Sequence, residues 1–260
     1  MLHQLLITAP ALCAVMLVLW WVQTRTRDAS SVDAAWALGI AGAAVTYGFS
    51  GDGDQLRRWV IAGLAGAWGL RLGLHLLLDR VLHATAEDGR YRAMRDHWGV
   101  SANLNFAWFY QAQAAAALLF SVPMLVGSHD PRPLGLFDVA AIGWWVVTLL
   151  LVAVADRQLA RWRADPANHG RTCRGGLWRF SRHPNYFFEW LHWFAYVALA
   201  WGGPGGPYTL AIPALLLVLL LFVTGIPYVE ARALKTRGDD YRAYQRETSV
   251  FVPWFSRSST

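Results

Sequence analysis

The stretch SRHPNYFFEWLHWFAYVALAW, residues 181–201, decides the fold class of this chain. It opens with Arg182, His183 and Glu189 and continues as an almost unbroken run of aromatic and aliphatic residues. Proline at position 184 suits the first turn of a helix, where its missing N–H would have no acceptor anyway. The stretch therefore predicts a helix that begins at a polar surface and enters an apolar environment.

The rest of the chain extends this pattern. Of the 260 residues, 55% are hydrophobic and only 15% are charged, whereas soluble domains carry about 25% charged residues. Seven apolar segments approach the roughly 20 residues that a helix needs to cross a bilayer. They lie near residues 3–24, 31–49, 57–79, 104–126, 135–156, 184–202 and 207–229. The sequence predicts an all-α, polytopic membrane protein with seven transmembrane helices in a single domain.

The basic residues predict the orientation of these helices. Apart from Arg57, Arg58, Arg71 and Arg132, all of the 23 Lys and Arg residues fall in the loops after spans 1, 3 and 5 or in the C-terminal tail. Loops rich in Lys and Arg stay in the cytoplasm. We therefore expect the N-terminus outside and the C-terminus in the cytoplasm, and a bacterial inner membrane as the location.

Ionisable residues inside apolar helices are costly and usually face a cavity. Asp33 lies about one turn into span 2, with Trp36 on the same face. In span 3, Arg71, His75 and Asp79 follow one another along one side of the helix. The pattern predicts a lined cavity. The alternatives are a helix-terminal role for Asp33 and an ion pair of Arg71 with Asp33 or Asp79.

Two cytoplasmic loops are rich in arginine. The loop after span 3 places Arg90, Arg92 and Arg95 around Tyr91, a pattern that also anchors anionic headgroups. The loop after span 5 carries Asp156, Arg163, Arg171 and Arg174. Planar guanidinium groups suit phosphate oxygens. The second loop therefore predicts a site for a pyrophosphate and an additional phosphate.

Span 6 continues this site into the membrane. Asn185 and Glu189 are four residues apart, and His192 follows three residues later, so the three share one helical face. An amide beside a carboxylate offers donors and acceptors that suit a nicotinamide carboxamide or a ribose. Glu189 and His192 also have a spacing found in di-iron bundles, which need a second such motif. The chain lacks one, so no metal site is predicted, and no nucleic-acid partner is expected.

The tail places Tyr241 and Tyr244 among charged residues before an apolar end. This pattern is typical of an amphipathic helix lying on the membrane. The alternative is a segment that closes over a ligand held by the arginine loop.

Three segments carry a resemblance to a known family. GGLWRFSRHPNYFFEW (175–190), GDDYRAYQRETSVFVPWF (238–255) and SVDAAWALG (31–39) resemble the membrane steroid 5α-reductase family, and more narrowly its bacterial branch. The same core is similar to sterol C14- and C7-reductases. The resemblance covers most of the chain and is strongest over residues 150–255.

The resemblance implies an enzyme that binds NADPH from the cytoplasmic side and reduces a carbon–carbon double bond conjugated to the 3-keto group of a Δ4 steroid. It implies a substrate cavity in residues 1–126 and a cofactor-binding part in residues 127–260. The implied or candidate cofactor-binding residues are Asp156, Arg163, Arg171, Arg182, His183, Asn185, Tyr186, Glu189, Glu230, Tyr241 and Tyr244.

The acid that polarises the substrate carbonyl is a separate prediction, because the family's Gln-Glu pair has no obvious match here. The candidates are Asp33, kept protonated by burial, then His75 and Tyr91. Trp36 and Arg71 are expected to contact the steroid or sterol-like lipid. Two other functions stay open: an S-adenosylmethionine-dependent membrane methyltransferase, and a non-enzymatic lipid-binding protein.

Overall fold

The computed structural model describes residues 1–255, among which no β-strand occurs. The helices are α1 (Leu2–Thr26), α2 (Ser31–Ser50), α3 (Gln55–Leu77), α4 (Gly89–Trp98), α5 (Ala102–Phe120), α6 (Val122–Gly127), α7 (Leu136–Ala164), α8 (Pro184–Ala200), α9 (Ala211–Val218), α10 (Ile226–Arg237) and α11 (Asp239–Glu247). Single π-helical turns, Leu78–Leu82 and Leu219–Val223, extend α3 and α9. The predicted all-α polytopic membrane fold is confirmed.

Six segments of the described chain are long and apolar enough to cross a bilayer. They are Leu2–Thr26, Ser31–Ser50, Gln55–Leu82, Gly89–Gly127, Leu136–Ala164 and Gly206–Arg237. The remaining predicted span forms α8, which begins at Pro184 and has 17 residues. At 1.5 Å per residue such a helix is about 25 Å long, slightly shorter than a hydrocarbon core of about 30 Å. The side of the membrane on which each end lies stays a prediction.

The last predicted span is not one continuous helix. The sequence predicts a helix over residues 207–229, but the π-helical turn ends at Val223 and α10 begins at Ile226. Pro227 lies in the first turn of α10, where a proline is tolerated, whereas inside a helix it would clash with the preceding turn. The break separates the apolar span from the charged helix that follows it.

The described chain forms two compact units. Unit 1 contains residues 1–134 and 199–209, and unit 2 contains residues 135–198 and the described residues from 210 onward. The first boundary between the units in the chain lies at residue 134; the division into a substrate part, residues 1–126, and a cofactor part, residues 127–260, stays a prediction. The turn after α8 also belongs to unit 1.

In unit 1, α2 packs along α3 through small residues. A Cβ atom added at Gly69 would lie 2.6 Å from the carbonyl oxygen of Ala37, and one added at Gly73 would lie 2.6 Å from Leu38 Cγ. Helices in lipid associate through such close backbone approach, because lipid tails provide no hydrophobic driving force between helices.

A buried arginine, Arg57, fixes the N-terminal end of α3 in unit 1. Arg57 is 1% exposed and donates hydrogen bonds to the carbonyls of Arg132 (3.0 Å), Pro133 (3.2 Å) and Leu199 (2.9 Å). Its Nε lies 3.7 Å from the carboxylate of the fully buried Asp130. A buried charge is tolerated only when it is paired and hydrogen-bonded in this way.

Tryptophan side chains link the helices of unit 2. Their indole N–H groups donate to oxygen atoms of neighbouring helices, which satisfies the polar part of each large ring. The pairs are Trp144 with Leu191 O (2.9 Å), Trp145 with Tyr196 Oη (2.8 Å) and Trp190 with Pro213 O (2.9 Å). These bonds connect α7 to α8 and α8 to α9.

We predict that Gly69→Ala destabilises the protein and that Gly63→Ala, on the same helix, does not. The added methyl group at Gly69 would overlap the α2 backbone, and overpacking costs about 1–3 kcal/mol. At Gly63 it would meet nothing within 4 Å. Thermal unfolding in detergent micelles, followed by tryptophan fluorescence, measures the difference. Equal melting temperatures for the two variants would contradict the close α2–α3 contact.

Candidate functional site

The segment before α8 is positioned by its Gly-Gly-Leu-Trp motif. Gly176 has a φ of +61°, and a Cβ atom there would lie within 2.5 Å of the Gln158 side chain. Glycine is required at such a position because it alone combines positive φ with close approach. Gln158 Oε1 accepts from the Leu177 amide (2.9 Å), and the Trp178 indole donates to Ala155 O (2.9 Å). The motif thereby fastens this segment to α7.

Arg182 joins this segment to the C-terminal tail. Its Nε donates to Glu230 Oε1 (2.6 Å), and its Nη1 donates to the carbonyls of Gln245 (3.1 Å) and Thr248 (2.6 Å). Although it is charged, the Arg182 side chain is only 11% exposed. Arg182 therefore holds the tail, a role that its charge alone did not predict.

Glu230 is the shared acceptor of this cluster. Besides Arg182, it accepts hydrogen bonds from Tyr241 Oη (3.3 Å) and Gln245 Nε2 (2.9 Å), and its Oε1 lies 3.3 Å from His183 Nε2. His183 is also buried, contrary to expectation, and stacks on Tyr186 with ring centroids 5.6 Å apart. Five residues predicted to bind the cofactor, which are Arg182, His183, Tyr186, Glu230 and Tyr241, thus form one contiguous group.

The tail tyrosines act as hydrogen-bond donors. The Tyr244 hydroxyl donates to the carbonyls of Trp178 and Ser181. Burial raises the pKa of Tyr244, and burial together with the negative charge of Glu230 raises the pKa of Tyr241. Both hydroxyl groups therefore keep their protons at neutral pH, and the predicted tail tyrosines fix the tail to the segment before α8.

The structure joins Asp156 to Asn185, two predicted cofactor-binding residues that the sequence did not place together. Asn185 Nδ2 donates to Asp156 Oδ1 (3.0 Å), and Asn185 Oδ1 accepts from the Tyr186 amide (3.0 Å). Glu189 follows one turn further along α8 with a side chain 22% exposed, and its Oε1 lies 3.8 Å from His192 Nδ1. The amide and the carboxylates of this face are therefore held in fixed orientations.

The arginines at the end of α7 and in the loop after it divide into two kinds. Arg174 donates to the Asp240 carboxylate (3.1 Å) and to Glu247 Oε2 (3.0 Å). Arg163 and Arg171 are exposed, and neither has a carboxylate within ion-pair distance in the described part of the chain. Arg174 thus holds α11 in place, while Arg163 and Arg171 present open guanidinium groups.

In unit 1, Asp33 collects donors from the segment between α3 and α5. It pairs with Arg80, and it accepts from Arg90 Nη2 (2.6 Å) and from the Tyr91 hydroxyl (2.6 Å). The assignment of Asp33 as the acid of the reaction stays a prediction. The sequence showed arginines in this loop but not that Arg80 and Arg90 converge on Asp33.

The other candidates of unit 1 do not join this cluster. His75 and Asp79 are exposed, whereas Arg71 is half-buried; the cavity predicted along this stripe stays a prediction. Trp36 lies in an aromatic group, 6.2 Å from Trp68 and 5.5 Å from Phe120 between ring centroids. The predicted substrate contact of Trp36 stays a prediction.

Unit 1 contains an apolar groove of about 500 Å³ between α1 and α2. Its walls are aliphatic or small side chains, with Ser31, Thr8 and Thr46 as the polar members. Asp33, Trp36, Arg71, His75 and Tyr91 are not among the lining residues. The groove lies on the opposite face of α2 from Asp33 and Trp36. Small and apolar residues occupy most of α2, and Asp33 is its one charged residue, so the sequence gave no direct sign of the groove.

We predict that Arg182→Ala loosens the tail and that Arg179→Ala, three residues away, does not. Removing Arg182 leaves Glu230 and two carbonyls without their strongest donor, a loss of about 2 kcal/mol. Arg179 is exposed and serves as the matched control. The measurements are the melting temperature and the rate of tryptic cleavage beyond residue 230. Identical cleavage rates for the two variants would rule out the Arg182 tie.

The Asp240 carboxylate predicts a pH dependence of stability. Burial alone would raise the pKa of Asp240, but hydrogen bonds from Thr172 and the charge of Arg174 lower it below its ordinary value. A depressed folded-state pKa stabilises the protein above the unfolded pKa, and this contribution is lost as the pH falls through the folded value. The melting temperature should therefore fall more steeply between about pH 5 and pH 2 in the natural protein than in Asp240→Asn.

The control for this titration is Asp239→Asn. The Asp239 side chain is 95% exposed and pairs only with the exposed Arg242 among the described residues, so its removal should leave the pH profile unchanged. A profile that is the same in all three proteins would contradict the role of Asp240.

Comparisons with known proteins place the chain in a family. Residues 19–248 match the family described as "Protein of unknown function (DUF1295)". An uncharacterized protein of Schizosaccharomyces pombe, C594.04c, is 26% identical over 207 residues, which cover 69% of this chain and 59% of that protein. The chain thus spans less than two thirds of that relative's length. No solved structure matches the chain. Because the family match covers most of the chain, this protein belongs to the DUF1295 family.

Proposed function

We propose that the protein is an NADPH-dependent reductase that acts on the carbon–carbon double bond of a 3-oxo-Δ4 steroid or a similar enone lipid. The observation that carries the proposal is the pair of open guanidinium groups, Arg163 and Arg171, on the same unit as the Asp156–Asn185 pair. The resemblance of the segments around them to the steroid 5α-reductase family supports the same reaction. A bacterial inner membrane is the proposed location.

The hydrogen-bond donors of unit 2 suit a dinucleotide. Arginine forks without a protein acceptor are suited to phosphate oxygens, which accept two parallel hydrogen bonds from one guanidinium. Asn185, held by Asp156, presents a fixed carboxamide beside Glu189, and such a pair can recognise the nicotinamide amide. Glu230, Tyr241 and Tyr244 would act indirectly, by holding the tail against the segment before α8.

The bound nicotinamide would supply a hydride to the β-carbon of the enone. The protein then has to stabilise negative charge on the carbonyl oxygen and return a proton to the α-carbon. The proposed candidates for this donor are Asp33, His75 and Tyr91, in that order. The Tyr91 hydroxyl donates its proton to Asp33, and the Arg90 guanidinium lies 5.1 Å from the centroid of the Tyr91 ring, so Asp33 and Tyr91 have fixed positions.

The apolar groove of unit 1 supports a lipid substrate. Its volume of about 500 Å³ and its aliphatic walls suit a rigid hydrocarbon skeleton, since small-molecule sites are mostly apolar clefts of about 300–1,000 Å³. Ser31 and Thr8 are polar groups in its wall that are able to orient a ketone or hydroxyl group.

The methyltransferase alternative fits the open arginines less well. S-Adenosylmethionine has no phosphate group and only one carboxylate, so it offers fewer anionic oxygens to Arg163 and Arg171 than a dinucleotide phosphate does. A non-enzymatic lipid-binding protein would leave the fixed Asp156–Asn185 pair without a purpose.

We predict that Arg163→Ala and Arg171→Ala each raise the Michaelis constant for NADPH about tenfold or more, because a hydrogen bond to a charged group contributes about 1.5–3 kcal/mol. The constant for the enone should change little. The assay follows NADPH oxidation with progesterone as the enone, in phosphatidylcholine nanodiscs.

The matched control is Arg161→Ala. Arg161 is an exposed arginine in the last turn of α7, and its replacement should leave the Michaelis constants for NADPH and for the enone unchanged. If Arg163→Ala changed the Michaelis constants for NADPH and for the enone equally, the assignment of Arg163 to the NADPH site would be wrong. Thermal stabilisation of the natural protein by S-adenosylmethionine and not by NADPH would favour the methyltransferase, and stabilisation by neither would favour a binding protein.

A further inference from the structure

The chain beyond α11 runs as an extended segment along the residues before α8. We call residues 249–255, SVFVPWF, the C-terminal strap. The Arg182 amide donates to Ser249 O (2.8 Å), and the Trp254 amide donates to Phe180 O (2.9 Å). Backbone hydrogen bonds therefore fix the strap near both of its ends, independently of its apolar side chains.

The side chains of the strap are of two kinds. Phe251 is buried, whereas its neighbours Val250 and Val252 are exposed. Beyond them, Trp254 is 69% exposed and Phe255 is 79% exposed. A contiguous set of exposed apolar side chains marks a surface that contacts a membrane or another protein. The position of the strap relative to α8 distinguishes these two occupants.

Phe251 fixes the depth of the strap along α8. The centroid of its ring lies 5.4 Å from that of Phe187 and 5.7 Å from that of Trp190. These two residues lie about 5 and 9 Å along the helix axis from Pro184, in the first two turns of α8. Because α8 has only 17 residues and is slightly shorter than the hydrocarbon core, its first turns lie close to the membrane surface. The strap therefore lies at the same surface.

A cavity of about 390 Å³ lies between the strap and the end of α11. Val250, Trp254 and Phe255 form its apolar walls, and Ser249 and the exposed Arg246 are among its polar residues. Arginine at a membrane surface is attracted to anionic lipid headgroups, and its guanidinium binds phosphate oxygens. The lining therefore fits a ligand in which a phosphate lies next to hydrocarbon.

The other charged residues of this cavity are already engaged. Arg182 pairs with Glu230 (2.6 Å), and Glu247 pairs with Arg174 (3.0 Å). Arg246 is the remaining charged residue of the wall. The positive charge that a ligand would meet there is therefore that of Arg246.

We propose that the C-terminal strap anchors unit 2 in the membrane interface. Trp254 and Phe255 lie between the lipid headgroups and the upper part of the acyl chains, where aromatic side chains are enriched in membrane proteins. The cavity beside them binds the headgroup of an anionic phospholipid through Arg246. This inference is independent of the proposed reductase function, because neither test below requires a nucleotide or an enone.

The first test measures the depth of the strap with a spin label attached at Phe255→Cys in nanodiscs. Cys13 is exposed and is removed by Cys13→Ser, whereas Cys173 is buried; the Cys13→Ser protein without a further cysteine gives the background signal. Power saturation compares collisions of the label with oxygen, which concentrates in lipid, and with a nickel chelate, which stays in water. Oxygen should collide with the Phe255→Cys label more often than the chelate does.

Two reference labels define the scale of this measurement. Val147→Cys, at an exposed apolar position in the middle of α7, reports the hydrocarbon core, and Asp239→Cys, at a side chain that is 95% exposed, reports water. The Phe255→Cys label should lie between them. A label as accessible to the chelate as that of Asp239→Cys would overturn the inference. Exclusion of both reagents would also overturn it, because a second copy or another protein would then cover the strap. Trp254→Cys provides the same test if Phe255→Cys does not fold.

The second test addresses the headgroup. The melting temperature of the natural protein should be higher in nanodiscs that contain phosphatidylglycerol than in nanodiscs of phosphatidylcholine alone, and Arg246→Ala should lose most of this increase. The matched control is Arg242→Ala, since Arg242 is an exposed arginine of the same helix that pairs with Asp239 (2.7 Å) and does not line the cavity. An equal increase in the natural protein and in both variants, or no increase in the natural protein, would overturn the headgroup site.

Discussion

A single carboxylate that collects several donors organises the polar part of each unit. Glu230 gathers Arg182, Tyr241 and Gln245 in unit 2, and Asp33 gathers Arg80, Arg90 and Tyr91 in unit 1. A charge near lipid is tolerated when it is paired and hydrogen-bonded. Because one carboxylate satisfies several donors from different segments, it fixes those segments relative to one another within the unit. The positions of the remaining polar groups depend on this arrangement.

The arginines have two roles, which depend on whether the fold provides a hydrogen-bond acceptor for the guanidinium group. Arg57, Arg174 and Arg182 are held by backbone carbonyls or carboxylates, whereas Arg163 and Arg171 have no such acceptor in the described part of the chain. Their types and their neighbours in the sequence are similar, so the difference arises from folding. Arginines whose acceptors are already in place stabilise the protein, and open ones near a fixed tail are suited to an external anion.

The apolar surface of α2 is likewise divided between two roles. α2 uses one face of small residues to approach α3 closely, as the short distances at Gly69 and Gly73 require. Another face of α2, together with α1, leaves a groove whose walls carry few polar groups. One helix thus both stabilises unit 1 and provides a surface for a hydrocarbon ligand, and its alanine and glycine content serves both purposes. A bulkier α2 would lose both.

The sequence by itself determined the all-α membrane class and the start of α8 at Pro184. Hydropathy, proline geometry and helical spacing are local properties, so they can be seen in the chain directly. Only the tertiary structure decided that Arg182 and His183 are buried, that Asp33 is an ion-pair acceptor, and that His75 faces outward. Each of these depends on which distant donors reach a given carboxylate, and that is set by packing between segments far apart in the chain.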